Sequence, residues 1–240
     1  MENWQDHGLV LEARPHGEGG CIITTITEHH GLYAGYVAGG MSKSHQGIRE
    51  IGALVSLEWQ ARLEDYLGRF KCDLEHSYAA SILSSAGPLK ALKSACALCR
   101  SSMPERDPAP AQFHGLNALL ETLSEEHWPN AYIIWEIGFL TEHGCPIDLT
   151  KCASTGQSDN LAYVSPKSAR AVSKEAGDPY KDKLLVLPAF LGGPPEDREI
   201  DIYNGLKMTG YFITHHLYGQ TTRPVPIERQ DLQEHILNHI

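Results

Sequence analysis

The feature that most constrains the fold is a change of period near Tyr78. From residue 8 to about 80 the chain runs as five short segments rich in Val, Ile, Thr, Tyr and Trp: GLVLEARPHG, GGCIITTITEHHG, LYAGYVAGG, IGALVSLEWQARL and LGRFKCDLEHSY. Gly-rich or polar turns separate them, so each reads as a strand. Gly17, Gly19 and Gly20 make the first hairpin turn, and Gly31 offers a positive φ for the next. Five such strands predict a meander closing into a small OB-fold barrel, a fold that commonly holds single strands of nucleic acid.

Beyond Tyr78 the period becomes helical. GPLKALKSACALCRSSM aligns Leu89, Leu92, Ala95, Cys96 and Cys99 on one stripe, and AQFHGLNALLETLSE aligns Phe113, Leu116, Leu120 and Leu123. PNAYIIWEIGFLTEHG is apolar almost all round, with Pro129 near its start and Gly144 as C-cap, which predicts a central helix. LAYV and ARAVS can pair across the turn SPKS; IYNGLKMTGYFITHHLYG and IERQDLQEHILNHI read as two closing helices. The expected class is α+β: an OB barrel over 1–80, then a mainly helical domain over 81–240 with a hairpin insertion at about 145–190.

Several functions are poorly supported. GGMSKS at 39–44 lacks the spacing of a phosphate-cradling loop, and there is no G-x-S-x-G elbow. Cys96-Ala-Leu-Cys99 lies on an apolar helical stripe and reads as core before it reads as a thiol or metal pair. His29-His30 and His215-His216 are adjacent residues, expected to point apart, with no acid at helical spacing. A thiol or metal enzyme built on these cysteines and histidines is the weakest alternative, and no catalytic residue, metal ligand or cofactor is expected.

No stretch reaches the roughly 18 apolar residues of a membrane span, and the N-terminus is polar and acidic, unlike a secretory signal. The six cysteines are scattered as in a reduced protein. A cytoplasmic location without membrane contact is expected.

The net charge of −10 is not confined to one segment, so bulk charge does not announce a nucleic-acid partner; local patches remain. Near the barrel these are Lys43, Arg49, Arg62, Arg69 and Lys71, with Arg69 and Lys71 on one strand face, and Tyr36, Trp59 and Phe70 as aromatics able to stack on bases, although barrel core is the better reading of each aromatic. Residues 160–183 carry Lys167, Arg170, Lys174, Lys181 and Lys183 against three acids, a stretch that Lys90, Lys93 and Arg100 could extend.

WQDHGLVLEARPHGEGGCIITTITEHHG at 4–31, YIIWEIGFLTEHGCPIDLTKCASTG at 132–156, and LAYVSPKSARAVSKEAG with LPAFL at 161–191 together resemble the RecO family of bacterial DNA repair proteins. Their order and spacing over almost the whole chain carry the resemblance. It implies a non-enzymatic mediator of homologous recombination that binds single- and double-stranded DNA, anneals complementary strands, contacts the C-terminal tail of the single-strand-binding protein SSB and, with RecR, helps load RecA. It also implies a nucleoid-associated place in the bacterial cell, with RecF and the RecA nucleoprotein as further partners. A receptor for the acidic, apolar SSB tail should pair a basic rim with an apolar pocket.

The resemblance also implies a frame that in many members holds zinc through four cysteines. Here Cys152 matches the first ligand, while Thr155, Ser173 and Ala176 stand at the other three. One thiolate cannot make a tetrahedral site, so order is expected to come from Leu161, Tyr163, Val164 and Val172. The family's loop after the third strand is typically rich in cations, and here it keeps only Lys43 and Arg49, with His45 between them. That thinning, with the net charge, motivates an alternative: an adaptor that docks SSB and RecR with little DNA binding of its own.

Overall fold

The computed structural model describes residues 2–63, 66–219 and 221–238. The last two residues of the expected closing helix lie outside them. By packing, the chain divides into two compact units, 1–126 with 226–232, and 127–225 with 233–240.

The first unit is built on a closed barrel of β1 (Glu2–His16), β2 (Gly20–Thr27), β3 (Gly31–Val37), β4 (Ala53–Ala61) and β5 (Arg69–Ser77), in the order β1-β2-β3-β5-β4. Strands β2 to β5 fall where the sequence placed them, whereas β1 begins at Glu2, six residues before the expected start at Gly8. The expected meander is corrected, because β5 lies between β3 and β4: two 3₁₀ turns, Lys43–His45 and Gly47–Arg49, carry the chain from β3 to β4, and β5 then pairs antiparallel with β4 and parallel with β3 through Tyr36 and Arg69. Strand β1 closes the barrel because its length lets it pair with β4 through Glu2–Leu9 and with β2 through Gly8–His16. A bulge between Val10 and Glu12 lets it bend from one partner to the other. The turn glycines behave as read, with φ of +62° at Gly17, +76° at Gly19 and +74° at Gly31.

Alternate residues of these strands fill the interior. Trp59 is fully buried, with Trp4 stacked at 5.6 Å and Tyr33 edge-on at 5.4 Å. Helix α1 (Tyr78–Ile82) follows β5, then α2 (Ala86–Ser102) and α3 (Pro110–Thr122). The stripe residues Leu92, Ala95, Cys96 and Cys99 of α2, and Phe113, Leu116 and Leu120 of α3, are buried, as is Leu123 just beyond it. Both helices pack against β1 and β2, which is why the compact unit extends well past the change of period at Tyr78. The segment between them is tied to β3: Arg106 N–H donates to Leu32 O at 2.9 Å, and its guanidinium lies 5.3 Å from the Tyr33 ring centroid.

In the second unit, α4 (Trp128–Glu142) packs on α6 (Arg198–Phe212). The expectation that α4 is apolar all round and central is corrected. Ile134 is 53% exposed, whereas Glu136 is fully buried and accepts the hydroxyl of Thr209 from α6. A buried carboxylate is tolerated there because a donor faces it. The insertion forms a three-stranded sheet of β6 (Leu161–Val164), β7 (Ala171–Ser173) and β8 (Leu185–Val186), in the order β7-β6-β8, with a single helical turn, α5 (Lys174–Gly177), after β7. The hairpin was legible in sequence; the two-residue β8 was too short to be. Asp201 of α6 accepts the N–H groups of Ala189 and Phe190, fixing the LPAFL loop after β8. Beyond α6 a π-helical turn, Ile213–Leu217, continues the rod, and α7 (Ile227–Leu237) closes the chain.

Candidate nucleic-acid interface

The cations singled out in the sequence fall into both units. Lys43 is exposed on the loop after β3. Arg49 is half-buried and turned into that loop, with Nη1 donating to Met41 Sδ at 3.1 Å and Nη2 to Ser42 O at 3.4 Å, so it braces the loop instead of offering its charge outward. Arg62, Arg69 and Lys71 are exposed, and Arg69 and Lys71 share the outer face of β5 as the period required. Their neighbours dilute them: Lys71 pairs in register with Glu58, and Asp73 follows on the same face. A cleft of about 430 Å³ beside Lys71 is lined by Asp6, Glu58 and Asp73 as well as His7 and His29.

Lys93 is exposed and Lys90 half-buried on α2, in the first unit, where Arg100 Nη1 pairs with Glu12 at 3.0 Å. In the second unit Arg170 Nε pairs with Asp148 at 3.5 Å, and Lys174 Nζ lies 3.1 Å from both oxygens of Asp178. Lys167 is exposed at the tip of the β6–β7 turn. Of the aromatics, Trp59 and Phe70 are barrel core, at 0% and 4% exposure, so neither is available to stack on a base. Tyr36 is half-buried and lies over Gly20, where a Cβ would come within 2.3 Å of its hydroxyl.

The first histidine doublet departs from expectation. His29 and His30 do not diverge: their Nδ1 atoms lie 3.0 and 2.7 Å from the two oxygens of Asp6, whose side chain is fully buried. The acid comes from β1, out of reach of any local spacing rule. Burial alone would raise the Asp6 pKa, but hydrogen bonds from both rings and from the His29 and His7 amides outweigh it and hold the carboxyl below its ordinary value. The same contact raises His29. The lowered carboxyl contributes stability above its ordinary 3.8 that is lost as pH falls through its folded value; the raised imidazole contributes below its ordinary 6.5 and loses that as pH climbs through its folded value. The melting temperature of the parent relative to His29→Ala is therefore expected to be greatest between these two values and to shrink towards alkaline pH, which thermal scans across buffers will measure.

Cys96 and Cys99 are fully enclosed, and burial pushes Cys96 up to about 12 and Cys99 well above its ordinary value, so both stay neutral thiols. A thiolate chemistry has no nucleophile there.

The zinc frame is kept in shape but not in chemistry. Cys152 Sγ is buried, accepts Ser173 N–H at 3.2 Å and lies 3.4 Å from Ser173 Oγ, and Thr155 also hydrogen-bonds to it. Three of the four frame positions therefore meet, but they offer one sulfur and two hydroxyls, and Ala176 offers no donor. That set does not fit a tetrahedral zinc. Burial opposes ionisation of Cys152, but the Ser173 and Thr155 contacts outweigh it and bring the thiol down to about 6. Leu161, Val164 and Val172 are buried, and the Tyr163 hydroxyl donates to Asp178 at 2.7 Å. A structural zinc supplies about 10–16 kcal/mol at neutral pH, so a module relying on one would melt on chelation. The melting temperature is expected to be the same in EDTA and in added Zn²⁺; a chelator-induced fall, with one equivalent of zinc released, would show that the insertion is metal-held.

A second cleft, of about 540 Å³ in the second unit, is lined by Pro146, Lys167, Ser168, Ala169, His215 and His216. Both histidines of the second doublet line this cleft, His215 exposed and His216 half-buried, but they share no hydrogen-bond partner among the described residues. The doublet itself was visible in sequence; the cleft that joins it to Lys167 was not.

A closed five-stranded barrel, followed by helices that carry a small sheet insertion, defines a protein of the OB type. Residues 1–78 match the family model described as recombination protein O N terminal, and residues 89–223 the model of its C terminal. The chain is 44% identical over 228 residues to the DNA repair protein RecO of Rhodospirillum centenum, covering 94% of this chain and 91% of that one. It is 42% identical to the RecO of Ruegeria sp., over 95% of each, and 40% identical to that of Rhodospirillum rubrum, over 98% and 97%. The chain belongs to the RecO family of DNA repair proteins. Neither matched description names a catalyst, and among the described residues no helix is long and apolar enough to cross a membrane.

Proposed function

We propose that this chain is a non-enzymatic recombination mediator acting at the bacterial nucleoid. It captures single- and double-stranded DNA, brings complementary strands together on SSB-coated template and, with RecR, promotes RecA loading, with RecF and the RecA nucleoprotein as further contacts. The observation that carries the reading is the family match across both halves of the chain, on a barrel that leaves Lys43, Arg62, Arg69 and Lys71 exposed. Residues 1–80 serve as the DNA-contacting barrel, and 81–240 complete the DNA surface and dock the SSB tail. Capture is electrostatic and therefore weakens with salt; no covalent step is involved.

A second reading has its own support. Arg49 braces its loop, Arg170 and Lys174 are ion-paired, and the net charge is −10, which favours an adaptor that docks SSB and RecR and leaves DNA contact to its partner. The two readings separate in the annealing rate of complementary labelled oligonucleotides coated with the cognate SSB, at low and moderate salt. Acceleration that fades with salt supports the mediator. No acceleration, with the SSB tail still bound, rejects it in favour of the adaptor.

A further inference from the structure

The clefts of this protein differ in sign. The barrel cleft sets Lys71 among Asp6, Glu58 and Asp73, and the small cleft beside the β3–β4 loop sets Arg49 beside Glu50. The cleft of the second unit has Lys167, His215 and His216 on its walls and no carboxylate. An anion approaching the first two meets carboxylates beside the cation; in the third the Lys167 ammonium faces it without one.

The walls of that third cleft are well braced. The turn that carries Lys167 is closed by Ala169 N–H donating to Ser165 O and Ser165 N–H donating to Arg170 O, both at 2.9 Å, while Asp148 N–H donates to Ala169 O at 2.8 Å. Ala169 takes a left-handed φ of +52°, so the turn is tight and presents Lys167 and Ser168 at its tip. Opposite, the helix widens from α to π, with Tyr218 N–H donating to Ile213 O at 2.9 Å. Such turns recur at functional sites. His215 is stacked on Tyr211 at 4.1 Å with Nδ1 donating to Tyr211 O at 2.9 Å, and His216 packs edge-on against Phe212 at 5.1 Å. Both rings are thus oriented, and both line the one cleft.

We infer that this cleft seats the phosphodiester backbone of a DNA strand, with Lys167 as the cation, the Ser168 hydroxyl as a donor beside it, and the His215 and His216 rings as the opposite wall. The inference rests on the DNA-handling reading above and assigns it a site. A phosphate fits better than an acidic, apolar peptide tail, because the lining sets a cation and a hydroxyl beside only small aliphatic groups, such as Pro146 and Ala169, and carries no Leu, Ile, Val, Met or Phe. Arg170 is held outside the cleft by Asp148, so Lys167 is the residue to test.

The test uses the full chain and a labelled oligothymidylate, with binding followed by fluorescence anisotropy between 50 and 200 mM salt, conditions of the order over which phosphate contacts declare themselves. Lys167→Glu is expected to weaken binding about tenfold at the lowest salt and to reduce the slope of log K against log salt by about 0.7, the loss of one single-strand phosphate contact. Lys183→Glu, an exposed charge reversal outside the cleft lining, is the control and is expected to change binding far less. If the parent binds and Lys167→Glu binds equally, or if both variants lose the same amount, the cleft assignment fails while the DNA-handling reading stands. If Lys167→Glu abolishes binding of an acidic peptide but leaves DNA binding intact, the cleft belongs to a protein partner and the assignment is overturned. If the parent itself does not bind at low salt, the DNA-handling reading fails and the assignment falls with it.

Discussion

Trp59→Ala is expected to destabilise the barrel unit by about 3–5 kcal/mol, the range for truncating a large buried aromatic, and with it to abolish the DNA annealing proposed above. The indole is fully buried, packs against both Trp4 and Tyr33 in a three-ring cluster, and donates Nε1–H to Leu67 O at 3.2 Å. Gly68, at φ +68°, passes so close beneath it that a Cβ there would come within 2.3 Å of Nε1. Truncation therefore leaves a cavity in the centre of the barrel and an unpaired carbonyl at its edge. Chemical denaturation and annealing assays on the same preparation check this. Were Trp59 a base-stacking platform, the substitution would lower DNA affinity and leave the denaturation midpoint where it was; Trp59→Phe, which refills most of the space, should recover most of the stability.

Gly31→Ala carries the second large effect. Gly31 sits at φ +74°, and a Cβ there would lie 1.9 Å from the backbone oxygen of Asp107. The left-handed backbone alone costs an L-residue about 1–2 kcal/mol, and the collision adds to it because the opposing atom is main chain and cannot rotate away. The segment carrying Asp107 is itself pinned to β3 by Arg106, so relief must open either the β2–β3 turn or the link between barrel and helices. Together these should lower the melting temperature by roughly 5–10 °C. Gly17→Ala is the matched control, since φ is +62° but nothing lies within 4 Å of the added carbon. A larger fall for Gly31→Ala locates the cost in the contact; equal falls would place all of it in the backbone.

These two sites mark how much was legible in the sequence. The strand runs over residues 8–80 place β2 to β5 and the second half of β1, Gly17, Gly19 and Gly31 take positive φ, and the stripes through Leu92, Cys96 and Cys99 and through Phe113, Leu116 and Leu120 mark buried helix faces. That Thr155, Ser173 and Ala176 offer no thiolate beside Cys152 is equally plain, because ligand identity is a property of residue type. What a residue faces within its own element is local, and local geometry has a fixed period.

The tertiary structure alone decided the rest. It set β5 between β3 and β4, because strand order depends on how the barrel closes and not on any segment's pattern. It placed α2 and α3 on the barrel, beyond the change of period, because the faces they bury match β1 and β2. It joined His29 and His30 through Asp6, and brought Lys167 to one cleft with His215 and His216. It also neutralised Arg170 and Lys174 with Asp148 and Asp178. Each of these pairings joins elements fixed by chain closure, and a contact between distant residues leaves no periodic trace in either of the segments that make it.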